Sequence, residues 1–262
     1  MKLNELSSHP SSLRVTTERY GPHEDQTGDL YFPSLTKPAV VCLLHGGFWR
    51  MPHGREQMNG IAQDLAVRGF AVWNLEYRRV GALTGGWPTT GEDVVRGIEY
   101  LSRLATKGVE LDLDRIALVG HSAGGHLALW AAAQALRGIR IRAVVGEAPI
   151  TDLLRAFEIG LGRGAVADLL GGMPSDQPER YAAASPLNLL PLGIPQLLVH
   201  ASQDDAVPIE MSRAYAVAAL AAGDPATLAE LPDSSHMAFI DPASSAHGAV
   251  CEWLSSVLGS HS

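Results

Sequence analysis

A chain of 262 residues, 46% of them apolar, is long enough to bury one well-formed core and fits a single α/β domain. Its 20 basic and 28 acidic residues leave a formal net charge of −8 with no local Lys/Arg cluster, which argues against nucleic acid as a partner. No apolar stretch is long enough to span a bilayer, and residues 1–12 are polar with no apolar signal segment, so the expectation is a cytoplasmic protein with no membrane partner.

Residues 1–12 read as a flexible tail and 13–262 as one domain. Two candidate edge strands, 13–20 and 29–32, flank a turn-rich stretch. Residues 39–44 form an unbroken apolar run, as a strand covered on both faces requires, and end in His45-Gly46-Gly47. Alternation follows: helix 57–68, strand 70–75, helix 91–107, strand 115–119, helix 123–136 and strand 141–147. After an irregular stretch come strand 196–200, helix 210–222, strand 227–231 and a closing helix 243–258. Such alternation implies a mostly parallel sheet flanked by helices, with ligands at the carboxyl ends of its strands. Residues 151–195, rich in Gly and Pro with one helical piece near 165–170, read as a short lid insertion. Cys42 and Cys251 read as small core residues.

Gly120-His121-Ser122-Ala123-Gly124 is a G-x-S-x-G sequence between a strand and a helix. That context is what a nucleophile elbow needs, because the tight turn lifts the serine hydroxyl above the sheet. A serine is a poor nucleophile until a base takes its proton, so a histidine is required. Of ten histidines, His236 fits best, in the polar loop after the last strand. His247 is expected on a surface turn of the closing helix, His9 and His261 lie in the tails, and His121 and His126 pack around the elbow. An acid must orient the imidazole, and by position either Asp204 or Asp205, in the loop after strand 196–200, could serve. The N–H of Ala123 supplies one donor for an oxyanion, and Gly47 and Phe48 can supply others.

With these residues the chain resembles the α/β-hydrolase superfamily over about residues 13–260, and within it the esterase and lipase group. The resemblance rests on His45-Gly46-Gly47, on Gly120-His121-Ser122-Ala123-Gly124-Gly125, on Tyr77-Arg78 and on Leu113-Asp114-Arg115-Ile116. The segment 200–208 is similar to an H-G-x-x-D-x-x-V-P pattern, with Ala201 in place of the glycine, and that alignment makes Asp204 the triad acid and Asp205 the runner-up. The implied triad is Ser122, Asp204 and His236. Where many relatives carry H-G-G-G, this chain has Phe48-Trp49 after two glycines, which is similar to kynurenine formamidases and to small-ester or feruloyl-type esterases. The resemblance then implies that Gly46, Phe48 and Trp49 border the substrate, and Trp87 either lines the pocket or packs in its loop.

The expected activity is cleavage of carboxylic esters of small or aryl substrates through an acyl-enzyme, with an arylformamidase as the alternative and a small-molecule ester or amide as the partner. A peptidase or a catalytically inactive binding protein on the same fold is the more distant reading. No cofactor is implied and no metal site is supported: there is no Walker-type Gly-Lys-Ser/Thr, no H-E-x-x-H and no Cys/His cluster. Sequence leaves the oligomeric state open.

Overall fold

The computed structural model describes residues 13–82 and 84–259; the expected N-terminal tail, His9 and His261 lie outside the described residues. Eight strands form one sheet in the order β1-β2-β4-β3-β5-β6-β7-β8. They are β1 (Arg14–Arg19), β2 (Thr27–Phe32), β3 (Ala39–Leu44), β4 (Ala71–Leu75), β5 (Asp112–His121), β6 (Ile141–Glu147), β7 (Gln196–Ala201) and β8 (Ala226–Leu231). Only β2 runs against its neighbours, pairing antiparallel with β1 and β4; every other pairing is parallel. β2 is therefore an inner strand, a correction to its reading as an edge, because Leu30 and Tyr31 are buried against the strands on either side.

The apolar runs explain the layers. All residues of β3 and β4 are buried, as strands covered on both faces require. Val40, Cys42 and Leu44 face one core with helices α2 (Thr89–Thr106), α3 (Ala123–Ala132) and α7 (Glu210–Ala221). Val41 and Leu43 face the other with α1 (Asn59–Val67) and α8 (Ser245–Leu258). Helix α3 ends four residues before the expected 136, where the chain leaves the sheet and turns through Gly138 at φ +70°.

Between β6 and β7 the chain carries three short helices, α4 (Leu153–Glu158), α5 (Ala165–Leu170) and α6 (Pro178–Ala184). Of these, α5 coincides with the expected helical piece. Asp152 starts α4 by accepting the Arg155 N–H at 3.0 Å. Among the described residues no helix is long and apolar enough to cross a membrane.

Candidate active site

Ser122 stands between β5 and α3 in a conformation of φ +55°, ψ −116°, which L-residues avoid. The turn can be this tight only because its neighbours lack side chains. A Cβ on Gly120 would sit 2.1 Å from the Gly124 carbonyl oxygen, and one on Gly124 would sit 2.0 Å from that of Leu44. The strained turn is pinned from the next strand, where the Glu147 carbonyl accepts the Ser122 N–H at 2.7 Å. The Ala123 N–H opens α3, in the first turn, where backbone donors have no intrahelical acceptor.

His236 follows β8 and begins a short 3-10 turn. Its Nδ1 lies 2.7 Å from Asp204 Oδ2. A carboxylate only accepts, so Nδ1 carries the proton and Nε2 is left with a free lone pair. Next to Ser122 in the chain, His121 holds this segment in place: its Nε2–H donates to the His236 carbonyl at 2.9 Å, and the two rings lie 4.6 Å apart. Burial, reinforced by the His236 charge, pushes the His121 pKa down to about 3, which keeps it a neutral brace.

Asp204 Oδ1 accepts the N–H groups of Ala206 and Val207 at 2.9 and 2.8 Å. Burial alone would raise its pKa, but the His236 hydrogen bond and these two N–H groups hold the carboxyl below the usual range. Asp205, by contrast, is exposed. His200 braces the same loop, through Nδ1 to Ser212 Oγ at 2.7 Å and Nε2 to the Val207 carbonyl at 2.9 Å. Sequence reasoning missed that role, although His200 opens the pattern that pointed to Asp204.

The segment after β3 approaches the turn from the other side. A Cβ on Gly46 would lie 3.3 Å from Ser122 Cβ, so this backbone borders the hydroxyl directly. Gly47, Phe48 and Trp49 have φ of +106°, +52° and +57°. The last two store roughly 2–4 kcal/mol of left-handed strain. Burial of the Trp49 indole offsets this by ~4–6 kcal/mol at ~25 cal/mol per Å² over ~150–250 Å². The loop is further clamped by the Val80 N–H to the Trp49 carbonyl (2.7 Å) and by Trp49 Nε1 to His126 Nδ1 (3.1 Å).

Two expectations are corrected here. Trp49 is fully buried with its N–H committed to His126, so it cannot wall a substrate pocket; it anchors the loop from beneath. His247 is buried in α8 and not on a surface turn, because its imidazole turns inward to Asp64 on α1 at 2.7 Å. Trp87 is half-buried and stacks edge-on against Trp130 at 4.7 Å.

Beneath the Gly46 loop lies a charged support that sequence reasoning did not single out. His45 stacks on Tyr77 at 4.3 Å, and its Nε2 meets Glu76 Oε1 at 2.8 Å. Glu76 also accepts the N–H groups of Tyr77 and Arg55, each at 3.0 Å. Burial would raise its pKa, but His45 and Arg79 hold the carboxyl low. The only sequence signal was a glutamate at the end of an apolar strand, beside the quoted Tyr77-Arg78.

The segment between β6 and β7 is fastened to this platform at several points. Arg50 donates to the Gly162 carbonyl (2.9 Å) and pairs with Asp168 (2.5 Å). His126 Nε2 donates to the Ala184 carbonyl (2.8 Å) and Trp130 Nε1 to that of Ala183 (3.1 Å). Between that segment and the Asp204 loop opens a cleft of about 610 Å³, bordered by Arg155, Ile159, Leu161, Leu187, Asp205 and Met211.

A strained serine turn after β5, an acid after β7, a histidine after β8 and this strand order define an α/β-hydrolase of the esterase class. Residues 29–218 match the BD-FAE family, and the chain belongs to it. It is 28% identical over 225 residues to an acetyl-hydrolase of Streptomyces hygroscopicus, covering 80% of this chain and 72% of that one. A kynurenine formamidase of Meyerozyma guilliermondii is 30% identical over 113 residues, 42% of this chain and 40% of its own. The chain spans about half the length of the Mycobacterium tuberculosis esterases it also matches. In fold it is similar to a truncated carbohydrate esterase from gut microbiota, with a TM-score of 0.83 at 21% identity, covering 96% of this chain and 98% of that one.

Proposed function

We propose that this carboxylic ester hydrolase cleaves small or aryl esters through an acyl-enzyme on Ser122. The observation that carries the reading is the 2.7 Å contact between Asp204 and His236 Nδ1, which leaves Nε2 as a free base in the segment that His121 ties to the serine turn. Ser122 Oγ attacks the acyl carbon while its proton passes to His236 Nε2. The oxyanion draws on the N–H groups of Ala123, Gly47 and Phe48. The tetrahedral intermediate collapses, the histidine returns the proton to the leaving oxygen, and a water activated by the same imidazole releases the acid. The low Asp204 pKa supports the role of fixed anion, which stabilises the imidazolium without taking its proton. The cleft beside Asp205 and Leu161 meets the site at Asp204, which also lines it.

A second reading, hydrolysis of an aryl formamide such as N-formylkynurenine, draws support from the kynurenine formamidase relative. The test is turnover of short-chain p-nitrophenyl esters beside N-formylkynurenine, with Ser122→Ala as the blank. The expected outcome is ester turnover that falls by roughly 10⁴-fold or more in the variant. Ser122-dependent formamide turnover exceeding that of the esters would move the assignment to the formamidase. Ester turnover that survives Ser122→Ala would remove the serine mechanism.

A further inference from the structure

Behind the sheet, away from the serine turn, three metal-ligating side chains meet. His247 and Cys251 are one helical turn apart on α8, so both project toward α1, where Asp64 faces them. The ligand atoms of Asp64, His247 and Cys251 all lie within 4.8 Å of one another. Asp64 Oδ2 stands 2.7 Å from His247 Nε2 and 3.9 Å from Cys251 Sγ, and that same Nε2 is 3.3 Å from the sulfur. Carboxylate and thiol thus converge on one nitrogen. They do not line up across the ring as in a proton relay, so the arrangement suits chelation and not catalysis.

We propose that Asp64, His247 and Cys251 form a binding site for a zinc-class divalent ion that fastens α8 to α1. The donor set is one carboxylate, one imidazole and one thiolate, a combination zinc accepts. Tetrahedral zinc with bonds of about 2.3 Å to sulfur and about 2.0 Å to nitrogen or oxygen separates S from N by ~3.5 Å and N from O by ~3.3 Å. Side-chain shifts of about half an ångström take the present spacing there. Arg68 Nε, 2.6 Å from Asp64 Oδ2, steadies the carboxylate from outside, as groups behind a ligand commonly do. Asp64 keeps 28% of its side chain exposed, which gives an ion a way in, while His247 and Cys251 are shut off from solvent.

Glu147 ends β6 on the face shared by Ala143 and Val145, the face that α8 covers. Its carboxyl is fully buried with neither oxygen hydrogen-bonded. Burial pushes the Glu147 pKa up to about 8, so it rests as a neutral acid outside the three-ligand group, and the fourth position on the ion falls to water. Binding releases one proton, from the Cys251 thiol to solvent. The His247 proton moves from Nε2 to Nδ1, and the Asp64–His247 hydrogen bond gives way to two bonds to the ion.

Co²⁺, added to metal-free protein, reads the site without reference to activity. We expect one equivalent to bind, with a near-ultraviolet thiolate-to-cobalt band that Zn²⁺ abolishes. The band should vanish in Cys251→Ser and persist in Cys42→Ser, with far-UV circular dichroism confirming that both variants fold. Asp64→Asn, at a partly exposed position, should weaken binding at least about tenfold. No thiolate band in the wild-type protein, or a band that survives Cys251→Ser, would overturn the site.

Discussion

Two of the acid–imidazole pairs among the described residues, Asp204 with His236 and Asp64 with His247, are built differently. At the strand ends Asp204 holds His236 through Nδ1, which leaves Nε2 free, while the hydroxyl sits on a strained turn. Between α1 and α8, Asp64 and Cys251 both approach His247 at Nε2, and the thiol rides on an ordinary helix. Similar side chains are therefore arranged to suit the proposed proton path in one place and the proposed chelation in the other. Which ring nitrogen the carboxylate occupies, and whether the nucleophile is lifted by strained backbone, decides the difference.

The sharpest way to break this comparison is to remove the charge of each acid in turn. Asp204→Asn should lower kcat for a p-nitrophenyl ester by roughly 10⁴-fold, through loss of the productive tautomer. Asp64→Asn and Asp205→Asn should each leave kcat within about threefold, since neither orients His236. Equal losses from Asp204→Asn and Asp64→Asn in steady-state assays would dissolve the distinction. A smaller effect is expected from Trp49→Phe, which leaves the His126 acceptor buried without its donor, at about 1–3 kcal/mol. For a chain of this size that lowers Tm by roughly 2–4 °C per kcal/mol, and an unchanged melting curve would remove Trp49 as the loop's anchor.

The smallest effect concerns acid. Burial pushes the pKa of His121 to about 3 and of His126 to about 4, while an unfolded chain binds those protons near about 6.5. Between these values the unfolded state holds more protons than the native one, so stability falls as pH drops from about 6.5 toward 4. In His126→Gln the fall in Tm over that window should be shallower than in the wild-type protein. Parallel curves would mean that His126 titrates normally.

Much of the fold was legible because its signals are local. The unbroken run 39–44 coincides with β3, since a strand covered on both faces needs no polar residue, and 141–147 coincides with β6, whose Arg142 is its one exposed residue. Helices α4 and α6 were not legible: where the equally short α5 is a nearly apolar run, α4 carries Arg155 and Glu158 and α6 carries Glu179 and Arg180, and neither is long enough for a period to emerge. For α4 the decisive detail is a cap, Asp152 on the Arg155 N–H. At the site, the serine, its aspartate and its histidine each sit in a readable loop after a strand. The inward turn of His247 was not readable, because its partner lies 183 residues away on another helix. Trp49 looked like a pocket wall for a similar reason: its burial depends on His126, 77 residues downstream.

The contacts of Arg50, His126 and Trp130 with the lid have a consequence for how such a protein diversifies. A flap hinged at its two ends can be exchanged wholesale, but this one is stitched along its length, largely to its own main-chain carbonyls. Carbonyls are indifferent to the side chains beside them. The residues that face the cleft are therefore free to drift, retuning what fits, while the seams at Gly162, Ala183 and Ala184 need only keep their backbone path. Side chains can change here without loosening the frame that holds them.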